Sequence, residues 1–236
     1  MFLTILIPAF NEEVNLRTHL PSILEKAALY ARDFEVLVVD DGSTDSTAAV
    51  VEGFQTRDGR IRLIRHPQNL GPGSGVKTGI REARGDWIIF IPADIAIDLD
   101  HLPRYIAAAE HADVVVGLRS DRRDYSLRRK FSSVVYIGLV KLLFAMPQRQ
   151  FNYVHMYRRA IFEKFDVEYG SVFITAEICI KARDAGFRLT EVEIGYVPRE
   201  HGEAAGGKPK VIARATRDLF HYWWRWRFSR KKTAGS

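Results

Sequence analysis

Four acidic side chains follow apolar runs at separate points of this sequence. Glu12 comes after the first run, Asp40 and Asp41 directly follow Val36–Val39, and Asp94 ends the run GDWIIFIPA. Carboxylates gathered in one place repel one another unless a cation or a hydrogen-bonding ligand lies among them. If the fold brings these acids together, the pattern predicts a ligand site that contains a cation or many hydrogen-bond donors.

The elements that would position these acids are buried strands separated by helices. The run Val36–Val39 lacks the polar alternation of a half-exposed strand, which is typical of a strand covered on both faces. Strand and helix alternate, which predicts βαβ crossovers and a mostly parallel sheet whose strand ends share one ligand-binding edge. The expected strands are Leu3–Ile7, Val36–Val39, Ile61–Arg65, Gly85–Pro92 and Val114–Gly117.

A glycine-rich segment, NLGPGSGVKTGIREA, follows the third expected strand, with glycines 71, 73, 75 and 79 around Lys77. Such glycine density allows close approach of a ligand and leaves backbone amides for an anion at a helix start. The spacing differs from both GxxxxGK[ST] and GxGxxG. A glycine-rich turn without a ligand is the alternative interpretation, and the sequence leaves both open.

The composition is that of a globular protein with an uneven basic charge. Hydrophobic residues make up 47%, charged residues 27%, and the formal net charge is +6; basic residues cluster at 122–130 and 225–232, which indicates an anionic partner. Nucleic acid is disfavoured because the basic runs flank apolar helices and no nucleic-acid recognition signature is present. The single Cys179 excludes an intrachain disulfide and fits a reducing, cytoplasmic setting.

Together these motifs resemble glycosyltransferase family 2 of the GT-A fold, most closely its polyprenol-phosphate (dolichol-phosphate) mannose and glucose synthases. The resemblance runs in family order from Leu3 to about Lys210. It implies a single Rossmann-like α/β domain over residues 1–210, with a mostly parallel central sheet flanked by helices, then a basic and aromatic amphipathic helix and tail over 211–236. The matching segments are ILIPAFNEE, VVDDGSTDST, NLGPGSGVKTGI, GDWIIFIPAD, VVVGLRS and FITAEICIKARDAGFRLTEVEIGYVPREHG.

The resemblance also implies an inverting transfer of a hexose from a GDP- or UDP-sugar. Asp94 corresponds to the last acid of the DxD motif, which holds Mg²⁺ or Mn²⁺, although Pro92 stands where that motif begins with an acid. Catalytic roles are implied for Asp94, Glu177 and Arg199, and contacts with the acceptor phosphate for Arg128, Arg199 and Lys208. Binding of the nucleotide sugar is implied for Pro8, Phe10, Glu12, Asp40, Asp41, Gly73, Lys77, Ala93 and Arg119.

The acceptor is predicted from the acids available. Many relatives that glycosylate a hydroxyl carry an acidic pair where this chain has Thr175, Ala176 and the single acid Glu177. A hydroxyl needs a base to take its proton, whereas a phosphate monoester is already ionised near neutral pH. The single acid thus favours a phosphate acceptor, and the resemblance implies that this acceptor is polyprenyl phosphate. Two alternatives remain: a soluble or protein acceptor with Glu177 as base, and a nucleotide-sugar-binding protein with weak catalysis.

Two segments predict contact with a membrane surface. YSLRRKFSSVVYIGLVKLLFAM and DLFHYWWRWRFSRKK combine basic residues with apolar and aromatic ones, as interfacial helices on anionic lipid do. The apolar stretch of the first is shorter than the roughly 20 residues that span a bilayer. We therefore expect a peripheral protein on the cytoplasmic face of the membrane. Helices that simply cover the sheet or form a homodimer are the alternative.

Overall fold

The structure, a computed structural model, describes residues 1–93, 99–120, 127–151, 153–195 and 209–233. Within these ranges, strands and helices alternate along most of the chain. The strands are β1 Phe2–Ala9, β2 Asp33–Asp40, β3 Ile61–Arg65, β4 Trp87–Phe90, β5 Val114–Arg119, β6 His155–Arg158 and β7 Leu189–Ile194. The α-helices are α1 Glu13–Tyr30, α2 Thr47–Gln55, α3 Pro72–Glu82, α4 Leu102–Ala108, α5 Leu127–Phe144, α6 Ile174–Asp184 and α7 Pro209–Thr233.

The seven strands form one sheet in the order β3-β2-β1-β4-β6-β5-β7. All neighbouring pairs are parallel except those made by β6, which runs antiparallel between β4 and β5. The predicted mostly parallel sheet is confirmed. Because β6 separates β4 from β5, the carboxyl ends of β1, β2 and β4 lie side by side, whereas that of β5 lies farther along the same edge.

Alternating side chains of the central strands divide the core into two layers. Ile5 and Val38 face the layer that contains α1, α2 and α4. Leu6 and Val39 face the opposite layer, which contains α3, α5, α6 and α7. Leu219 of α7 is fully buried in that second layer, so the C-terminal helix packs into the core of the domain.

Large apolar side chains remain exposed on α5 and α7, two helices that contact each other. On α5 they recur at intervals of three, one and seven residues, opposite a buried stripe that includes Ile137 and Val140. On α7 they recur every four residues, which places them on one side of that helix. We call these seven side chains the α5–α7 face: Phe131, Val134, Val135, Leu142, Phe220, Trp224 and Phe228. Among the described helices, none combines the length and apolarity needed to cross a bilayer.

Candidate active site

The loops that follow β1 and β2 are bonded to each other at the carboxyl edge of the sheet. Asn11 adopts a left-handed backbone with φ 55°; its amide donates to Ser43 Oγ over 2.9 Å and its side-chain oxygen accepts from the Thr44 amide over 2.9 Å. The Glu12 amide donates to Thr47 Oγ1 over 2.8 Å. These bonds make one rim of the two loops, so Glu12 lies beside the DDGST segment as the sequence predicts.

Asp40, at the end of β2, is fully buried and is only partly satisfied. Its Oδ1 accepts a hydrogen bond of 2.9 Å from the Ser43 amide. Its Oδ2 has no hydrogen-bond partner among the described residues; Arg65 Nε lies 3.3 Å away, in ion-pair range but without hydrogen-bond geometry. The half-exposed Arg65 therefore lies beside an acceptor oxygen that no described group hydrogen-bonds.

Asp41 is fully engaged by the protein itself. Its carboxylate accepts from the Gly71 amide over 2.9 Å, the Leu70 amide over 3.1 Å and Ser74 Oγ over 2.9 Å. His66 Nδ1 lies 2.6 Å from the same carboxylate. The sequence leaves open whether Asp40 or Asp41 meets the donor, and the geometry separates them: Asp41 holds the glycine segment against the end of β2.

The first backbone amides of the glycine segment are bonded within the protein, as in the ligand-free glycine turn that the sequence leaves open beside an anion site. The Leu70 and Gly71 amides donate to Asp41. The Gly73 amide donates to the Gly170 carbonyl over 3.1 Å, and the Ser74 amide to the Gly71 carbonyl over 2.9 Å. Each of these donors is therefore bonded within the protein, so the first turn of α3 is stabilised by protein groups.

Two of these glycines are closely packed. A Cβ atom on Gly73 would lie 2.4 Å from the Cα of Gly170, a backbone contact too short for any side chain. A Cβ atom on Gly75 would lie 3.0 Å from the Cβ of Pro8, a tight contact that would push the proline ring back. The glycines thus bring α3 against Pro8 on one side and against the Gly170 backbone on the other.

Glu177 of α6 is fully buried and holds a loop, residues 166–171, which we call the junction loop. Its carboxylate accepts from the Glu168 amide over 2.7 Å and from the Tyr169 amide over 3.0 Å. Lys181 Nζ, one helical turn away, donates to it over 2.8 Å. Lys77 Nζ donates to the Glu168 carbonyl. Glu177 is thus a buried helix acid that is paired with a lysine one turn away and anchors this loop.

The other predicted site residues are spread more widely. Phe10 is 42% exposed at the rim, and the Glu12 carboxylate accepts from Asn15 over 2.6 Å. Ala93 is buried. Arg119 is buried at the end of β5, where its amide donates to Gln150 Oε1 over 3.2 Å; β5 is four strand positions from β2, or roughly 19 Å. Predictions for Asp94, Arg199, Lys208 and the side chain of Arg128 fall outside the described residues.

A metal centre built from protein side chains alone is not present in the described part of the chain. There, no group of three His, Cys, Asp or Glu side chains is arranged to hold an ion. The single cysteine, Cys179, is fully buried, and burial raises the pKa of its thiol to about 12, so it stays protonated and unreactive.

Sequence reasoning missed two basic residues near the glycine segment. His66 bridges Asp41 and Thr78, with Nε2 2.9 Å from Thr78 Oγ1. Arg214 of α7 reaches the same region: a Cβ on Gly71 would lie 3.4 Å from its Nη1, and one on Gly170 would lie 3.7 Å from its Nη2. His66 directly follows β3, which is a signal of the kind used for the acids, whereas nothing in the sequence places α7 over the glycine segment.

Comparison with known proteins supports a family assignment. The sequence model of glycosyl transferase family 2 matches residues 4–173. An undecaprenyl-phosphate 4-deoxy-4-formamido-L-arabinose transferase from Edwardsiella ictaluri is 28% identical over 215 residues, which cover 89% of this chain and 65% of that protein. The first curated relatives are longer than this chain, which spans between 37% and 65% of their length.

Solved structures give the same fold at low sequence identity. Glucosyl-3-phosphoglycerate synthase from Mycobacterium tuberculosis, crystallised with Mn²⁺, UDP and phosphoglyceric acid, matches with a TM-score of 0.72 and 16% identity over 94% of this chain and 78% of that one. A mannosyltransferase from Pyrobaculum calidifontis, crystallised with GDP-Man and Mn²⁺, matches with a TM-score of 0.62 and 19% identity over 90% and 68%. These likenesses support the GT-A fold expected from the sequence.

Proposed function

Because this chain belongs to glycosyl transferase family 2, we propose that it transfers a hexose from a GDP- or UDP-sugar to polyprenyl phosphate, with inversion, at the cytoplasmic membrane surface. The named activity of the Edwardsiella ictaluri relative supports an undecaprenyl-phosphate acceptor. The complexes of the two structural neighbours with UDP and GDP-Man support a nucleoside-diphosphate donor.

The observation that carries the acceptor assignment is the engagement of Glu177. Its carboxylate is fully buried and accepts from two backbone amides and from Lys181. A carboxylate held in this way is poorly suited to remove a proton from an incoming hydroxyl, a task worth about 10²–10⁴-fold in rate. A phosphate monoester needs no such step because it is already ionised near neutral pH.

In the proposed reaction, a phosphate oxygen of the lipid attacks the anomeric carbon of the donor. The new carbon–oxygen bond forms as the bond to the diphosphate breaks, and the nucleoside diphosphate leaves with the electron pair. One displacement of this kind inverts the anomeric configuration. The chain's task is then to position both partners: Pro8, Phe10 and Glu12 line the base and ribose, and Asp40 accepts hydrogen bonds from the base.

We also propose that the donor binds with Mg²⁺ or Mn²⁺, as in the complexes of the two structural neighbours. A divalent cation neutralises charge on a departing diphosphate. Since the described residues contain no three-residue cluster for an ion, Asp94 would supply the protein ligand and the diphosphate oxygens most of the others.

The membrane contact is assigned to the α5–α7 face. Seven large apolar side chains are exposed there, and the exposed Lys130, Lys141 and Arg217 lie on the same two helices. Apolar side chains beside basic ones suit the boundary between anionic headgroups and acyl chains. A homodimer that covers this face is the alternative, which a measurement of mass in solution distinguishes.

The proposal is tested first by ligand binding and then by transfer. Thermal-shift measurements with UDP-, GDP- and other nucleotide sugars, with and without Mn²⁺, identify the donor. Transfer of that sugar to polyprenyl phosphate is then compared with transfer to soluble and peptide acceptors. We expect transfer to the lipid phosphate alone, and its loss in Asp94→Asn without a change in the unfolding midpoint. Full activity of Asp94→Asn, or transfer to a soluble acceptor without lipid, would contradict the assignment.

Replacement of Glu177 by glutamine distinguishes a base from a loop anchor. If Glu177 only anchors the junction loop, the variant loses about 2–3 kcal/mol of stability, while kcat per folded molecule falls less than about fivefold. Loss of a general base would instead lower kcat by about 10²–10⁴-fold and remove the acidic limb of the pH–rate profile. The second outcome would favour a hydroxyl acceptor.

A further inference from the structure

The junction loop joins the helix of the proposed membrane contact to the proposed donor site. On the α7 side, Arg225 Nη1 donates to Glu168 Oε2, and Tyr169 Oη lies 2.9 Å from His221 Nδ1. On the α6 side, Lys181 Nζ donates to Glu168 Oε1 over 2.8 Å. Glu168 therefore bridges two helices through the two oxygens of one carboxylate.

The same loop also contacts α3, which carries the glycine segment. The Gly73 amide donates to the Gly170 carbonyl, and Lys77 donates to the Glu168 carbonyl. The two backbones approach so closely that a Cβ on Gly73 would overlap Gly170. A shift of the junction loop must therefore shift the first turn of α3 or break its contacts.

The charges around Glu168 favour one arrangement of this loop. Burial alone would raise the pKa of the Glu168 carboxyl, but hydrogen bonds from Lys181 and Arg225 lower it overall. The carboxylate is thus ionised near neutral pH, and the loop is held from both sides. Lys181 is largely buried, whereas Arg225 is 54% exposed, so the α7 side is the weaker of the two attachments.

We propose that Arg225 is a positioning residue for donor binding: through Glu168 it fixes the junction loop against which Gly73 and Lys77 rest. The inference rests on the proposed function, in which α7 contacts the membrane and the glycine segment adjoins the nucleotide. It assigns α7 a second task, since the helix that meets the lipid also fixes the donor side of the site.

The test compares two arginines of α7 in the absence of lipid. Arg225→Gln removes the bond to Glu168. Arg227→Gln removes the same charge two residues away, from a guanidinium that lies 5.5 Å over the Trp223 ring. Because this ion pair is exposed and contributes modestly, we expect Arg225→Gln to weaken UDP or GDP binding about two- to fivefold in calorimetry. Arg225→Lys, which keeps a cation for Glu168, should stay within twofold of the unsubstituted chain, as should Arg227→Gln.

Hydrogen exchange measures the coupling between Arg225 and the first turn of α3 without any ligand. Arg225→Gln should exchange faster over residues 69–77, which contain the Gly73 amide, and Arg227→Gln should not. Identical exchange in the two variants, or equal nucleotide affinities, would overturn the positioning role. If the unsubstituted chain binds neither UDP nor GDP, the proposed function fails, while the exchange comparison still decides whether Arg225 fixes the junction loop against α3.

Discussion

Asp40 and Asp41 are adjacent in sequence, yet their side chains meet different surroundings because β2 ends at Asp40 and Asp41 begins the loop that follows it. Asp41 reaches the glycine segment and accepts bonds from two amides and a hydroxyl there. Asp40 keeps one buried oxygen without a hydrogen bond from a described residue. The sequence alone predicts a ligand contact for the pair but does not separate the two residues, because the difference depends on contacts with residues 66–74.

A pair of substitutions separates the two roles. Asp41→Asn replaces a buried acceptor of several bonds with a group that also carries donors, so it should lower the free energy of unfolding by about 2–4 kcal/mol. Asp40→Asn should change stability by less than about 1 kcal/mol and weaken nucleotide binding about tenfold. Urea unfolding and calorimetry measure the two effects. The opposite result, a stable Asp41→Asn chain that has lost nucleotide binding, would assign the ligand to Asp41.

Burial of His155 predicts that the free energy of unfolding decreases in acid. Burial lowers the pKa of its imidazole to about 4, although its hydrogen bond with the Phe151 carbonyl acts in the opposite direction. Because the unfolded chain binds this proton at pH 6.5 and the folded chain only near pH 4, stability falls as pH falls from about 6.5 to 4. The loss should reach at most about 3 kcal/mol.

Unfolding by urea at several pH values tests this assignment. In His155→Gln the unfolding free energy should depend less on pH between 6.5 and 4. At pH 8 it should be lower than that of the unsubstituted chain. His111→Gln, at an exposed position, should leave the slope unchanged. An unaltered slope in His155→Gln would place the acid sensitivity elsewhere.

Among the elements, the sequence predicts the first five strands and misses the last two. β1, β2, β4 and β5 coincide with expected apolar runs, and β3 coincides with the expected strand Ile61–Arg65 although it carries two arginines. β6 has only four residues, HMYR, and carries charge and aromatic rings, while β7 lies at a sheet edge and alternates charged with apolar residues. Their places come from pairing with β4 and β5, which is a tertiary property that local periodicity does not contain.

The glycine segment is a second case in which tertiary contacts, and not the local sequence, decide the structural role. Its composition is compatible with backbone amides for an anion, but a close contact with the Gly170 backbone accounts for Gly73. A glycine that a ligand needs and a glycine that a neighbouring backbone needs are indistinguishable in one sequence. Only the packing of α3 shows which requirement holds.

Two glycine-to-alanine substitutions compare a glycine packed against a neighbouring backbone with a helix glycine that has open space around it. Gly73→Ala forces a Cβ to within 2.4 Å of Gly170, so it should lower the free energy of unfolding by about 1–3 kcal/mol. Gly53→Ala lies in α2 with no atom within 4 Å of the new Cβ and should raise it by about 0.5–1 kcal/mol. Thermal unfolding gives both signs; equal shifts in the two variants would exclude the Gly73–Gly170 contact as a constraint.

At the scale of the whole molecule, the two layers of the core carry different surfaces. Helices α1, α2 and α4 pack on one face of the sheet. Helices α5 and α7 pack on the opposite face and carry the α5–α7 face. An exposed apolar group of this size is usually a binding surface. If that surface meets lipid, the sheet edge with Asp40 is held at a fixed position relative to the membrane that contains a polyprenyl acceptor.

One charge placed in either layer tests this geometry. Leu142→Glu puts a carboxylate on α5, at a side chain that is 80% exposed, and Leu29→Glu does the same on α1, where Leu29 is 67% exposed. A leucine side chain that inserts into lipid contributes about 2 kcal/mol to membrane binding, and anionic headgroups repel the new carboxylate. Leu142→Glu should therefore reduce sedimentation with phosphatidylglycerol vesicles at least about tenfold. Leu29→Glu should sediment like the unsubstituted chain. If that chain fails to sediment and instead elutes as a dimer that Leu142→Glu dissociates, the face joins two copies, and the membrane assignment is wrong.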